Sequence, residues 1–330
     1  MRAGVLHQLG ASPVYTEDWP EPSSSSSSSN DQEVLVHMKA CAIKNLDKAR
    51  ASGKHYSSHS ELPVVVGMDG VGKLQDGTRV YGMGTTGMLA EYALVDRNKL
   101  IALPDQVDDW TAAALPNAVL GSYLALFDRG LMKKGDVVLI NGATGVTGRL
   151  CAQLAKYYGA SKVIATGRNQ HSLNKLQNEY GVDQTISLLE KDEHVLIETV
   201  RAIHELTPID VVIDYLWGHP MELLLRALKG SGLHSFSHKV RVVTVGSMAG
   251  EHIHLSSSIL RSSAIEICGS GFGSFSVESM REFYEKVLPE MFKLAGQGII
   301  KVETEVADLK DVESVWNKEF DSGKRLVIRI

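Results

Sequence analysis

The sequence is poor in the features that mark specialised protein classes. Its 330 residues hold three cysteines, Cys41, Cys151 and Cys268, far apart and odd in number. That argues against a disulfide framework and fits a reducing compartment. Neither sign of charge dominates: 34 Lys and Arg against 39 Asp and Glu leave a formal −5. With no basic tail, a nucleic-acid partner is not expected. No apolar run reads as long enough to span a bilayer, so no membrane partner is expected. The first residues, Met1-Arg2-Ala3-Gly4-Val5-Leu6-His7, lack the apolar core of a signal peptide. The expectation is a soluble, cytoplasmic protein.

What is present is ordinary in bulk and informative in order. Apolar residues make up 44% and charged residues 22%, as in globular proteins. The length exceeds what one hydrophobic core organises, so two domains are expected. Ser23 to Ser29 is an unbroken serine run. It reads as a flexible surface loop, with a phosphorylated switch as the alternative. Glycine-broken strand patterns follow at 33–42, 62–72, 78–82 and 88–95, which suggests an all-β, barrel-like first domain. Residues 107–126 are alanine-rich and helical in character. From Asp136 strand-like runs alternate with helical ones. The strands fall at 136–141, 162–166, 209–214, 241–245 and 264–268, the helices at 147–158, 171–180, 190–205 and 219–228. That alternation predicts a parallel sheet covered on both faces. Residues 276–296 read as one long amphipathic helix, and 325–330 as a closing strand.

The stretch Asp136-Val137-Val138-Leu139-Ile140-Asn141-Gly142-Ala143-Thr144-Gly145-Val146-Thr147-Gly148 organises this half. An apolar run turns through glycines three apart and continues at helical spacing. Strand, glycine turn and helix aim backbone N–H groups and a helix N-terminus at a phosphate. In the G-x-G-x-x-G fingerprint the first glycine falls at Ala143, and Gly145 and Gly148 supply the other two. A nucleotide site is expected; a tight turn that merely needs small residues is the alternative. The second strand then ends Thr166-Gly167-Arg168-Asn169, without the carboxylate that bonds the ribose hydroxyls in an NAD site. A guanidinium suits a 2′-phosphate by charge and by its fork of donors. NADP(H) is therefore preferred, with Arg168 and Asn169 at its ribose.

Across nearly its full length the chain resembles the medium-chain dehydrogenase/reductase superfamily, most closely its zinc-free quinone oxidoreductase branch. The resemblance is carried by Gly67-Met68-Asp69-Gly70-Val71-Gly72, by Leu115-Pro116-Asn117-Ala118 through Tyr123-Leu124-Ala125-Leu126, and by the glycine turn. It continues in Asp214-Tyr215-Leu216-Trp217-Gly218 and in Val245-Gly246-Ser247-Met248-Ala249-Gly250. It implies an α/β fold with a GroES-like β-barrel domain over 1–118 and a Rossmann doubly wound parallel-sheet domain over 119–272. Residues 273–330 would return to the first domain. Thr144, Gly145, Val146 and Thr147 would then meet the pyrophosphate. Leu216 and Trp217, Gly246, Ser247 and Met248, and Ser270, Gly271 and Phe272 would follow successive strands around the cofactor, with Ser122 facing the nicotinamide. The exposed edge strand 264–268 would pair with a second copy as a homodimer.

The zinc members of the superfamily carry a ligand cysteine where Lys44 stands, and a Gly-His-Glu motif where Gly67-Met68-Asp69 stands. Lysine and methionine cannot replace such ligands, so no metal is expected. His252 with His254, and His55 with His59, have no third partner in view and read as surface histidines. Without a Lewis acid, the expected substrates accept hydride readily: a quinone or an α,β-unsaturated carbonyl, held in the cleft between the domains. The resemblance nominates Tyr56 as proton donor, in a spacing lengthened by one residue. It also nominates Asn45, shifted by one from the family's asparagine, beside Asp47. Lys44 either faces the cleft as a cation or points to solvent, and Tyr56 is either catalytic or an ordinary loop tyrosine. The competing readings are an enoyl-thioester reductase and an NADPH-binding sensor without turnover.

Overall fold

The structure is a computed structural model that describes residues 1–23, 32–54, 57–230 and 237–330. Most of the serine run, 24–29, and the residues His55 and Tyr56 lie outside the described residues. The chain forms two compact units, Met1–Asn117 with Arg281–Ile330, and Ala118–Met280.

The second unit is built on a six-stranded parallel sheet. Across the sheet the strands run Gln184–Ser187, Lys162–Gly167, Val137–Asn141, Val211–Asp214, Val240–Thr244 and Ile265–Gly269. Counted along the chain this is third, second, first, fourth, fifth, sixth, the Rossmann order, whose direction reverses beside the first strand. Val137–Asn141 is buried at every residue, as a central strand covered on both faces must be. The Gln184–Ser187 strand was not legible in the sequence, because Gln-Thr-Ile-Ser offers a single large apolar residue. The helices Val146–Tyr157, Gln170–Glu179, Glu193–Leu206 and Gly218–Ala227 cross between strands. Two start on side-chain caps, Asn169 accepting from the Ser172 N–H and Asp192 from the His194 N–H. Leu196, Ile197, Val200 and Ile203 form one helical stripe in a core shared with Leu139, Val212, Met221 and Leu224.

The first unit carries a seven-stranded sheet and a three-stranded one. The long strand Glu33–Ile43 organises the larger. Residues 33–37 pair with Tyr92–Asp96, 37–40 with Asp69–Lys73, and 40–43 with the closing strand Lys324–Arg329. Arg79–Met83 and Ile101–Ala102 extend one side, and Glu303–Asp308 the other. The smaller sheet joins Val14–Thr16, Ala3–Leu6 and Val64–Val65. Leu6, Met38, Met88, Leu89 and Ile328 sit in the core of this unit.

Two helices depart from the sequence reading. Residues 109–129 form one helix, α-helical over Asp109–Val119 and π-helical over Leu120–Arg129. By length and composition it would suffice to cross a membrane, so the expectation that no run is long enough was too strong. Its apolar window is 67% buried inside the protein, as for the core helix of a globular fold. The helix expected over 276–296 runs continuously over 277–296, with a π-helical stretch Phe283–Val287 between α-helical Val277–Glu282 and Leu288–Gly296. Pro289 accounts for the stretch: it has no N–H to donate to the carbonyl four residues back, and its ring crowds that carbonyl.

Gly148 shows how tightly the first helix of the second unit sits on its strand. A Cβ there would lie 2.6 Å from the Ala143 Cα and 2.8 Å from the Gly142 carbonyl oxygen. Gly148→Ala should therefore lower stability by about 1–3 kcal/mol in urea unfolding, although alanine is the better helix former. A stabilised variant would contradict this packing.

Candidate functional site

Each glycine of the turn has a separate task. Gly142 adopts φ +85°, a left-handed conformation, with the Leu216 side chain 2.8 Å from where a Cβ would stand. Gly145 is the N-cap of the Val146–Tyr157 helix, and no side chain caps it. A Cβ at Gly145 would meet nothing within 4 Å. The turn thus leaves an open cradle in front of a helix N-terminus. That is the arrangement an anionic phosphate fits.

A buried polar network fixes this turn in space. Thr166 donates its hydroxyl to the Asn141 side-chain oxygen at 2.7 Å, and Asn141 donates to Asp214 at 2.8 Å. The Gly142 N–H reaches the Thr166 Oγ1 at 3.2 Å, and the Ala143 N–H reaches the Thr166 carbonyl at 2.9 Å. Asp214 accepts as well from the Leu216 and Trp217 N–H groups at 3.0 and 3.1 Å. Burial pushes the Asp214 carboxyl above the usual range, and the Leu216 N–H, the Asn141 amide and the Trp217 N–H oppose that rise. Trp217 sits at φ +52°, a strained conformation for a bulky residue and one held by these bonds.

The other turns that follow the strands lie at the same carboxyl end of the sheet, since Asn141, Asp214, Thr244 and Gly269 are in register and the neighbouring strand ends one residue further, at Gly167. Arg168 and Asn169 are exposed there, and Asn169 also caps its helix. Leu216, Trp217 and Gly246 are half-buried, while Ser247, Met248, Gly271 and Phe272 are exposed. Ser270 is buried, and its hydroxyl has no hydrogen-bond partner among the described residues. Ser122 corrects an expectation. It is fully buried and donates to the Ala118 carbonyl at 2.6 Å within its own helix, so it offers no accessible atom to a cofactor.

The sequence reading missed Arg149. It is 5% exposed, and its Nε donates to the Thr144 carbonyl at 3.1 Å while a terminal nitrogen reaches the Ser172 hydroxyl at 3.3 Å. It ties the glycine turn to the first turn of the helix behind Arg168. An arginine on a helix face of small and apolar residues was the available signal.

In the first unit, Lys44 answers neither alternative offered for it. Its side chain is 3% exposed. Its ammonium donates to the Ala42 carbonyl at 2.9 Å and to Asp69, and lies 3.0 Å from Asp47. Two hydrogen bonds and two ion pairs thus hold it. Burial would lower its pKa, but Asp47 and Asp69 outweigh that and hold it above the usual lysine range. Lys44 is therefore a buried ammonium held between two carboxylates, not one turned to solvent. Asn45 is exposed at the start of the Asn45–Ala51 helix. Tyr56 lies outside the described residues.

A family model described as the alcohol dehydrogenase GroES-like domain matches residues 30–105, and one described as zinc-binding dehydrogenase matches 146–293. Pig quinone oxidoreductase is 29% identical over 72% of this chain and 71% of its own. A probable NADPH-dependent quinone reductase of Emericella nidulans is 27% identical over 96% of both chains. The chain belongs to the medium-chain dehydrogenase/reductase superfamily, in its quinone oxidoreductase-like branch. The fold agrees: Escherichia coli quinone oxidoreductase, solved with NADPH, superposes with a TM-score of 0.81 at 21% identity over the whole of both chains.

Among the described residues, the zinc in one family model's description finds no fitting donors at Lys44 and Met68. The ammonium of Lys44 already engages Asp47 and Asp69, and the half-buried Met68 offers only a thioether. Among the described residues no three His, Cys, Asp or Glu side chains are grouped to hold a metal ion. His252 and His254 are both exposed.

The network behind the glycine turn gives a direct test. Thr166→Val keeps the shape but leaves the Asn141 oxygen and the Gly142 N–H without the hydroxyl. It should cost about 2–3 kcal/mol in chemical unfolding and weaken cofactor binding. A neutral substitution would contradict the role given to Thr166.

Proposed function

We propose that this protein is an NADPH-dependent, zinc-free oxidoreductase that reduces a quinone or an α,β-unsaturated carbonyl. The observation that carries the cofactor choice is Arg168, exposed at the end of the second strand of the parallel sheet with no carboxylate in Thr166-Gly167-Arg168-Asn169. A 2′-phosphate there meets a guanidinium instead of a repelling carboxylate. The related E. nidulans protein is named for NADPH and quinone, and an Arabidopsis thaliana relative, 34% identical over 42% of this chain, is named an NADPH-dependent alkenal/one oxidoreductase. Both names support this reading.

The bound nicotinamide supplies the hydride. The chain's own task is to hold it. Thr144 to Thr147 receive the pyrophosphate at the helix N-terminus, Arg168 and Asn169 the ribose phosphate, and Leu216, Trp217, Gly246, Ser247 and Met248 line its path. The buried, unpartnered Ser270 hydroxyl and the neighbouring Gly271 and Phe272 meet the nicotinamide end. The proton is assigned to Tyr56 or to water, because the Lys44 ammonium is buried and paired with Asp47 and Asp69. Hydride plus proton completes a two-electron reduction, and a conjugated acceptor needs no metal to polarise it.

The Ile265–Gly269 strand ends the sheet with one strand partner among the described residues, and we assign it to a homodimer contact. The cysteines Cys41, Cys151 and Cys268 are all free, which suits a reducing, cytoplasmic setting.

Three measurements check this. Purified protein should oxidise NADPH with at least one member of a quinone and enone panel; tight NADPH binding without turnover would leave the sensor reading in its place. Arg168→Ala should raise the NADPH Kd about 10-fold or more, near 1.4 kcal/mol or above, with little change for NADH. Equal losses for both cofactors would remove the reason for choosing NADP. Elemental analysis should find well under one zinc per chain, and one per chain would overturn the metal-free chemistry.

A further inference from the structure

Lys44 stands where a lysine is doubly unfavourable. It is the N-cap of the Asn45–Ala51 helix, a position that favours Ser, Thr, Asp or Asn. It is also almost fully buried, where an ammonium loses its hydration. Its surroundings account for it. Asp47 and Asp69 are 3% and 6% exposed, and two buried carboxylates that close repel unless a cation stands between them. Each carboxylate also holds other chain. Asp47 accepts from the Lys44 N–H at 2.9 Å and from the Met68 N–H at 3.2 Å. Asp69 accepts from the Tyr81 hydroxyl at 2.7 Å, and its carbonyl from the Cys41 thiol at 3.4 Å. Arg325, 8% exposed on the Lys324–Arg329 strand, adds positive charge felt by both carboxylates. Among the described residues, Lys44 is the cation in direct ion-pair contact with both carboxylates.

We propose that the Lys44 ammonium is the resident cation of a site built from Asp47, Asp69 and the Ala42 carbonyl. It performs there what a bound metal ion performs elsewhere: it draws the stretch 42–47 and the strand that begins at Asp69 onto one positive centre. By filling that place it also closes the site to metal. The proposal rests on the zinc-free reading above and deepens it.

The test removes the cation and returns it from solution. Lys44→Ala deletes three methylenes and the ammonium, which together are n-propylammonium. The variant should melt roughly 5–10 °C below the parent. After equilibration with tens of millimolar propylammonium chloride it should regain at least half of that loss, and equal sodium chloride should regain none. A variant that folds only with propylammonium supports the proposal equally. A variant that melts within about 1 °C of the parent, or that propylammonium does not raise above sodium chloride, overturns it. Should Lys44→Ala fold under neither condition, Lys44→Met decides. It keeps the stem without the charge, so it should melt below the parent, and adding Asp69→Asn should restore part of the loss. Losses that simply add would overturn the proposal, because a side chain needed only for packing would behave that way. Neither readout involves quinone turnover, so a failure here leaves the reductase reading standing, and an absence of turnover leaves this one standing.

Discussion

The row Thr166, Asn141 and Asp214 is the constraint on which the cofactor half depends. Three neighbouring parallel strands carry a polar side chain at or near their ends, where burial leaves no water to satisfy it. Each must therefore bond to the next, and the bonds run Thr166 to Asn141 to Asp214. Because the row also binds the N–H groups of Gly142, Leu216 and Trp217, the turns after two strands are set by the same few atoms. The open cradle at Gly145 follows from this, not from the glycines alone. Glycine permits the path, and the network selects it.

The first unit meets a similar problem with formal charges. Asp47, Asp69, Lys44 and Arg325 are all buried. Such a cluster contributes little net stability over an apolar core, yet breaking it by removing one member is expensive. Its effect is on arrangement: the cluster fixes the start of the Asn45–Ala51 helix against Met68, Asp69 and Tyr81. The two units thus divide the work. One holds a hydride carrier at the end of a parallel sheet. The other encloses a buried cluster in which two cationic and two anionic side chains offset one another.

Most of the architecture was legible because its signals are local and periodic. Val137–Asn141 and Val211–Asp214 read as strands from continuous apolar runs, and the glycine turn read as a phosphate site from spacing. Gln184–Ser187 was not legible, because a sheet-flanking strand packed less deeply needs few apolar residues. The π-helical stretch Phe283–Val287 hid because the apolar period continues across it, with Pro289 as the warning. Of the candidate site, the places of Arg168 and of the turns at the strand ends were readable from the strand pattern. The fate of Lys44, Ser122 and Arg149 was not, since each depends on partners distant in the chain or on which helix face is buried. A lysine beside an aspartate three residues on reads as a surface pair. Only the approach of Asp69 from another strand makes it a buried centre.

The central claim is that hydride passes from NADPH held at the glycine turn directly to a conjugated acceptor without a metal. The most direct measurement offers NADPH deuterated at C4, with an α,β-unsaturated ketone, to chelator-treated protein. The claim predicts one deuterium at the β-carbon of the saturated product and a primary isotope effect on turnover. Activity lost with the chelator and restored by zinc, or a product whose new β-hydrogen comes from water, would contradict it.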